Sequence, residues 1–149
     1  MPSLFNREDN NQLIERINRL SADTPRQWGK MNAAQMISHL QEPMKVATGE
    51  ARLKHSLIGI LFGRIAKKKM MKPGPFSKNL PTAPTFLRKD ERDFEKEKVI
   101  TVSLIKQFAN EGSDILSKNP HPFFGKMTVE EWDTLGWKHI DHHLTQFGV

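Results

Sequence analysis

The sequence predicts an all-α fold, a four-helix bundle with a short extra helix and a proline-rich crossover. Four long segments carry apolar residues at helical spacing. Two of them open on a capping-box pattern, Asn32 with Gln35 and Thr128 with Glu131. Convincing strand-like alternation of apolar and polar residues is absent from the sequence. These observations together favour helices packed on helices.

The four long helices can be placed in order along the chain. The first takes Asn6 as its N-cap, the second takes Asn32, and the fourth ends before Gly148, a residue type that commonly terminates helices. Their predicted ranges are about 7–20, 32–47, 91–110 and 128–147.

The region between the second and third long helices is irregular. The stretch "SLIGILFGRIAKKK" predicts a short amphipathic helix, because apolar residues recur there at helical spacing. The stretch "KPGPFSKNLPTAP" carries four prolines, which are excluded from helix interiors and central strands. We therefore expect an extended crossover over the bundle surface. A second proline-rich connector, "NPHPFFG", leads into the fourth long helix.

Length and composition narrow the class of protein. A chain of 149 residues is most simply one domain, residues 1–149, with enough length to bury a core. The absence of cysteine excludes disulfides and thiolate metal sites. The N-terminal stretch shows no export signal, and the longest apolar run is too short to cross a bilayer. A cytoplasmic location is the expectation.

Much of the net charge of +6 lies in "GRIAKKKMMK", the basic segment from Arg64 to Lys72. Such a run can contact phosphate backbones or anionic lipid. Lysines are also common at the C-terminus of a solvated helix, where they complement the helix dipole. Since no nucleic-acid-binding motif accompanies the run, we expect neither nucleic acid nor membrane as a partner. Docking through this segment stays open as an alternative.

The stretch "LGWKHIDHHLTQFG" concentrates three histidines in the fourth long helix. At about 100° per residue, His139 and His143 lie about 40° apart, on the side of Trp132. The same wheel places His142 at the border of this face. It places Lys138 and Asp141 with the polar residues on the opposite side.

This spacing is chemically informative, because imidazoles at i and i+4 can converge on one metal ion. A third ligand is needed from another helix, and His39 on the second long helix is the candidate. The alternative is that these histidines only form hydrogen bonds inside the core. Asp141 points away from the cluster, and His142 is expected beside it rather than in it.

These motifs resemble the DinB-like superfamily of metal-binding four-helix bundles. "HIDHHLTQ" fits its His-x-x-His-His-x-x-Gln signature, and "WGKMNAAQMISHL" is similar to its tryptophan-containing lead into the second helix. The segments "TPRQWGKMNAAQM", "PTAPTFL", "HPFFGKMTVEEW" and "KHIDHHLTQFG" resemble an uncharacterised bacterial subfamily.

The resemblance implies one divalent metal ion, zinc or nickel, held by His39, His139 and His143. It further implies a metal-dependent enzyme acting on a small molecule, as a hydrolase or as a transferase that uses a low-molecular-weight thiol. Homodimers are common in the superfamily, so a homodimer is expected. The substrate and the reaction stay open.

Other residues have alternative roles. Glu42 is a candidate proton acceptor, or else a surface charge or a partner that orients His39. Gln146 can hydrogen-bond a ligand or His143, and Trp28 can wall the pocket or anchor the core. A different class of function is a non-catalytic, metal-stabilised or metal-sensing module. A fourth protein ligand would favour that class, and His121 is its candidate, although a histidine between prolines more commonly caps a turn.

Overall fold

The computed structural model describes residues 1–82 and 84–149. That part of the chain contains five α-helices and two short 3₁₀ helices, and no β-strand. The all-α prediction is therefore confirmed. The α-helices are α1 (Arg7–Asn18), α2 (Ala33–Thr48), α3 (Leu57–Met70), α4 (Phe94–Glu111) and α5 (Val129–Gln146). Within the described residues, no helix combines the length and apolarity that crossing a bilayer requires.

Local capping sets where the helices begin. The Asn6 side chain accepts hydrogen bonds from the backbone N–H groups at the start of α1, as predicted. Both predicted capping boxes are present, at Asn32 before α2 and at Thr128 before α5. α4 starts later than predicted because the Asp93 side chain accepts from the Lys96 N–H and caps the helix there.

The core lies between α2 and the helices α4 and α5, which also contact α1. Burial of its apolar side chains is the main favourable term in folding. The largest of those that are almost fully buried are Leu4, Leu13, Ile17, Met36, Ile37, Leu40, Ile105, Ile140 and Leu144. α2 and α5 contribute to the same core, so their inward faces are held close together.

α3 packs differently from the amphipathic helix that the sequence predicts. Its buried residues are Gly59 and Gly63, which lie against the backbone of Phe123 and Phe124 in the connector before α5. Six of its apolar side chains point to solvent, although they have the helical spacing of a core-facing stripe. α3 is therefore held in place by close backbone approach at two glycines and not by burial of its large side chains.

Lys138 is also placed differently from the prediction. It is 9% exposed, and its Nζ donates to the carbonyls of Met70 at 2.7 Å and Lys72 at 2.8 Å. The helical wheel placed it on the polar side of α5, but the aliphatic stem reaches across to the end of α3. Lys138 thereby satisfies carbonyls that the helix C-terminus leaves without donors.

The predicted crossover connects α3 to α4. It contains Ala83, which lies outside the described residues; the rest is irregular apart from the 3₁₀ helix Pro84–Phe86. Phe86 is buried and belongs to the core. The crossover therefore brings a backbone segment against α2.

Candidate metal centre

Three histidines from two helices meet in the interior. His39 lies on α2, and His139 and His143 lie one turn apart on α5. The Nε2 atom of His39 is 2.9 Å from Nε2 of His139 and 3.1 Å from Nε2 of His143. One ring nitrogen from each of the three lies within 4.8 Å of the others. The structure thus brings together the three residues that the sequence singled out.

Two of the rings are held from their outer side. The Nδ1–H of His39 donates to the Phe86 carbonyl at 2.8 Å. The Nδ1–H of His143 donates to Oε1 of Gln146 at 2.7 Å, and Nε2 of Gln146 donates to the Trp28 carbonyl at 2.8 Å. That last bond fixes which end of the Gln146 amide accepts. The partners therefore place a proton on Nδ1 of both rings, so the neutral form of each ring has its lone pair on Nε2.

In these tautomers the Nε2 atoms of His39 and His143, which lie 3.1 Å apart, are both hydrogen-bond acceptors. Two lone pairs at that distance repel each other unless a positive species lies between them. A proton is a poor candidate, because burial lowers the pKa of both imidazoles. A divalent cation that prefers nitrogen ligands fits both the donor set and the ring orientations. The three histidines can hold a metal ion.

The imidazole pKa values fall below the ordinary 6.5 for a shared reason. Burial, together with the proximity of His39, lowers the pKa of His143 to about 3. Burial also lowers the pKa of His39, against the opposing effect of its hydrogen bond to Phe86. The pKa of His139 is well below its usual range because of burial and its three histidine neighbours, although part of its surface stays accessible. Neutral rings are the form that binds metals.

His142 lies beside the cluster, as the sequence predicted. Its ring centroid is 5.1 Å from that of His143, and aromatic neighbours flank it at 5.8 Å (Trp28) and 5.9 Å (Phe76). Trp28 is half-buried and carries Lys78 Nζ 4.6 Å above its ring. Trp28 therefore contacts the imidazole beside the cluster, and its two predicted roles, pocket wall or core anchor, stay predictions.

Asp141 points away from the histidines, in agreement with the helical wheel. Its carboxylate pairs with Arg16 of α1 at 2.7 Å, which ties the end of α5 to α1. The residue has a structural partner of its own. Its place between His139 and His142 in the sequence does not bring it into the cluster.

Glu42 follows His39 by one turn of α2 and forms an ion pair with Arg88. Arg88 comes two residues after Phe86, so the same crossover segment holds both His39 and Glu42. No pattern in the sequence points to Arg88, since its position depends on the path of the crossover. A proton-accepting role for Glu42 stays a prediction, and the ion pair is the contact that the structure adds.

His121 caps a turn in the connector before α5. Its Nδ1 accepts from the backbone N–H groups of Phe123 at 3.0 Å and Phe124 at 3.1 Å. Burial lowers its pKa to about 4. The group of potential metal ligands found in the described residues comprises the three other histidines and not His121. The turn-capping interpretation is therefore confirmed.

The chain belongs to the family described as "Protein of unknown function (DUF1569)", whose model matches residues 4–148. No curated protein and no solved structure matches the chain. The match covers almost the whole sequence. The chemical evidence therefore comes from the site itself.

Proposed function

We propose that the protein is a metal-dependent enzyme built as a four-helix bundle of the DinB-like type. His39, His139 and His143 would hold one zinc or nickel ion. The substrate would be a small molecule, and the reaction either a hydrolysis or a transfer that uses a low-molecular-weight thiol. The resemblance of "HIDHHLTQ" to the superfamily signature supports the fold type and the class of reaction.

The observation that carries this proposal is the 3.1 Å approach of the Nε2 atoms of His39 and His143. Both rings have their Nδ1–H groups committed to acceptors outside the cluster. A core that used these histidines only for hydrogen bonding would avoid two facing lone pairs. Three histidine ligands are also the donor set of catalytic zinc sites, which keep a position open for substrate.

The chain's own residues would divide the remaining tasks. A bound divalent cation supplies Lewis acidity, which lowers the pKa of a water molecule or thiol. Phe86 and Gln146 orient the rings of His39 and His143 through their Nδ1–H groups. Glu42 lies one turn from His39 and pairs with Arg88, and it is the candidate to accept a proton. Trp28 would exclude water from the outer side of the cluster.

The test is the metal content per chain of untagged protein, measured by elemental analysis after incubation with zinc and nickel. We expect about one ion per chain in the natural protein, as a three-ligand mononuclear site requires. His39→Ala, His139→Ala and His143→Ala should each lose the ion. His142→Ala is the matched control, because it removes a neighbouring imidazole that lies outside the cluster, and it should keep the ion.

Activity is tested separately on the loaded protein, with panels of hydrolase substrates and of thiol-dependent transferase substrates. Turnover that follows metal content across the four variants supports the enzyme. Absence of metal from the natural protein after both incubations contradicts the proposal. A light-scattering mass equal to one chain contradicts the expected homodimer without affecting the metal site.

A metal-stabilised, non-catalytic module is the second candidate, and one observation favours it. The ligands come from α2 and α5, so an ion would cross-link two helices of the core. Metal-dependent thermal stability without turnover in either substrate panel would support this candidate. Metal-dependent turnover would exclude it.

A further inference from the structure

The outward face of α3 combines two features that the metal centre does not explain. Six apolar side chains on this helix are between 57% and 79% exposed. We name them the α3 patch: Leu57, Ile58, Ile60, Leu61, Phe62 and Ile65. Monomeric soluble proteins rarely expose contiguous apolar patches of this kind, and those that do usually contact a partner or a membrane.

Basic side chains continue the same face. At about 100° per residue, Arg64 and Lys68 fall within about 40° of Leu57, and Lys69 falls between Ile58 and Phe62. Arg64, Lys68, Lys69 and Lys72 are all exposed, and we name them the basic rim. The outward face therefore changes from apolar in the first half of α3 to cationic at its end.

A cavity of about 710 Å³ opens at the cationic end. Its walls include Arg64, Lys68 and Lys72 of the basic rim, together with Lys126. The one carboxylate in its lining belongs to Glu131, which Lys67 neutralises at 2.9 Å. Within the described residues, the four other cations form no ion pair. The cavity therefore presents uncompensated positive charge beside the α3 patch.

From this combination we propose that α3 docks the protein onto an anionic lipid bilayer. The α3 patch enters the boundary between headgroups and acyl chains, and the basic rim and the cavity contact the phosphate groups. An apolar face combined with lysines and arginines is the pattern of helices that lie in the membrane interface. α3 has 14 residues, or about 21 Å, so it lies on the bilayer and does not cross it.

Charge complementarity selects this partner over the others. A second copy of the chain would bring the same basic rim and the same net charge of +6 toward this face. The phosphate backbone of nucleic acid would engage the cations but offers no apolar surface to the six exposed aliphatic and aromatic side chains. An anionic bilayer supplies negative charge and apolar volume together. This proposal departs from the expectation from sequence that no membrane takes part.

The experiment is co-sedimentation of the full chain with vesicles of phosphatidylglycerol and phosphatidylcholine, compared with vesicles of phosphatidylcholine alone. Binding should need the anionic lipid and weaken steeply with added salt. The double variants Leu61→Gln with Phe62→Gln, and Lys68→Glu with Lys69→Glu, should each reduce partitioning about tenfold or more. The controls on α4, Val99→Gln and Lys106→Glu, alter exposed residues and should bind like the natural protein.

Insertion of the α3 patch into the bilayer can be measured directly. Because the chain has no cysteine, a fluorophore attaches only to an introduced one. An environment-sensitive fluorophore on Phe62→Cys should shift to the blue with anionic vesicles, and the same fluorophore on Val99→Cys should not. Several results would overturn the proposal. These are no sedimentation at low salt, binding by both double variants that equals the binding of the natural protein, and a two-chain mass that Leu61→Gln with Phe62→Gln converts to one chain. Duplex DNA binding that needs only the lysines, without vesicle binding, would also overturn it.

Discussion

Gln146 and His143 form a relay that begins at the backbone of the loop before α2. Oε1 of Gln146 accepts from His143 Nδ1–H at 2.7 Å, and its Nε2 donates to the Trp28 carbonyl at 2.8 Å. One side chain therefore fixes both the rotation and the tautomer of a proposed metal ligand. Gln146 is 4% exposed, so water does not readily replace it.

Gln146→Leu should weaken metal binding about 10- to 100-fold without changing the stoichiometry, because the ring of His143 loses its orienting acceptor. Gln146→Glu keeps an acceptor for the Nδ1–H and should stay closer to the natural affinity. Competition with a metal-binding indicator dye measures both values. Equal affinities for the natural protein and the leucine variant would show that the relay does not orient the ligand.

Lys138→Met should loosen the end of α3. The variant keeps an unbranched apolar stem but leaves the Met70 and Lys72 carbonyls without their donor. The expected cost is about 1–3 kcal/mol of unfolding free energy. Amide hydrogen exchange should become faster around residues 70–76. Lys106→Met, on the exposed side of α4, is the matched control and should change stability by less than about 0.5 kcal/mol.

The parts of the fold that the sequence predicts well depend on local interactions. Asn32 and Gln35 form the capping box because each reaches the other's backbone within one turn. His139 and His143 face the same way because helical geometry alone sets the angle between them. Both the start of α2 and the shared direction of these two imidazoles follow from spacing along the chain.

The parts that the sequence did not predict depend on distant segments. Phe86 supplies the acceptor for His39 from 47 residues away, through a carbonyl that any residue type would provide. Lys138 lies on the polar side of the wheel, but its long stem reaches the end of α3. α3 exposes its apolar stripe because the glycine side, with Gly59, is the side that approaches the connector. Spacing predicts which residues share one side of a helix, but it does not predict which side packs against another segment.

Gly63→Ala should displace α3 from the connector. An added Cβ would collide with the Phe123 carbonyl oxygen, which is backbone and cannot rotate away. Overpacking of this kind costs about 1–3 kcal/mol, more than the roughly 1 kcal/mol that alanine gains in helix propensity. Limited proteolysis should cut the segment 55–72 faster. Ile60→Ala, which changes an exposed position of the same helix, should leave the digestion pattern intact.

His121 should account for a measurable part of the stability that the fold loses in acid. Its pKa is about 4 in the folded protein, against an ordinary 6.5 when the chain is unfolded. Between these values the unfolded chain binds a proton that the folded chain does not. The stabilisation is therefore complete above pH 6.5 and is lost as the pH falls toward 4. At pH 5 the loss should be about 2 kcal/mol.

The matched variant is His121→Asn, whose side-chain oxygen can accept from the N–H groups of Phe123 and Phe124 without titrating. Denaturant unfolding at pH 7.5 and pH 5, with a chelator present, gives the loss of stability for each protein. His39 and its two partners also have lowered pKa values, so both proteins should lose stability in acid. The natural protein should lose more, by the share that His121 carries. Parallel losses in the two proteins would mean that the buried ring at position 121 has nearly its ordinary pKa in the folded state.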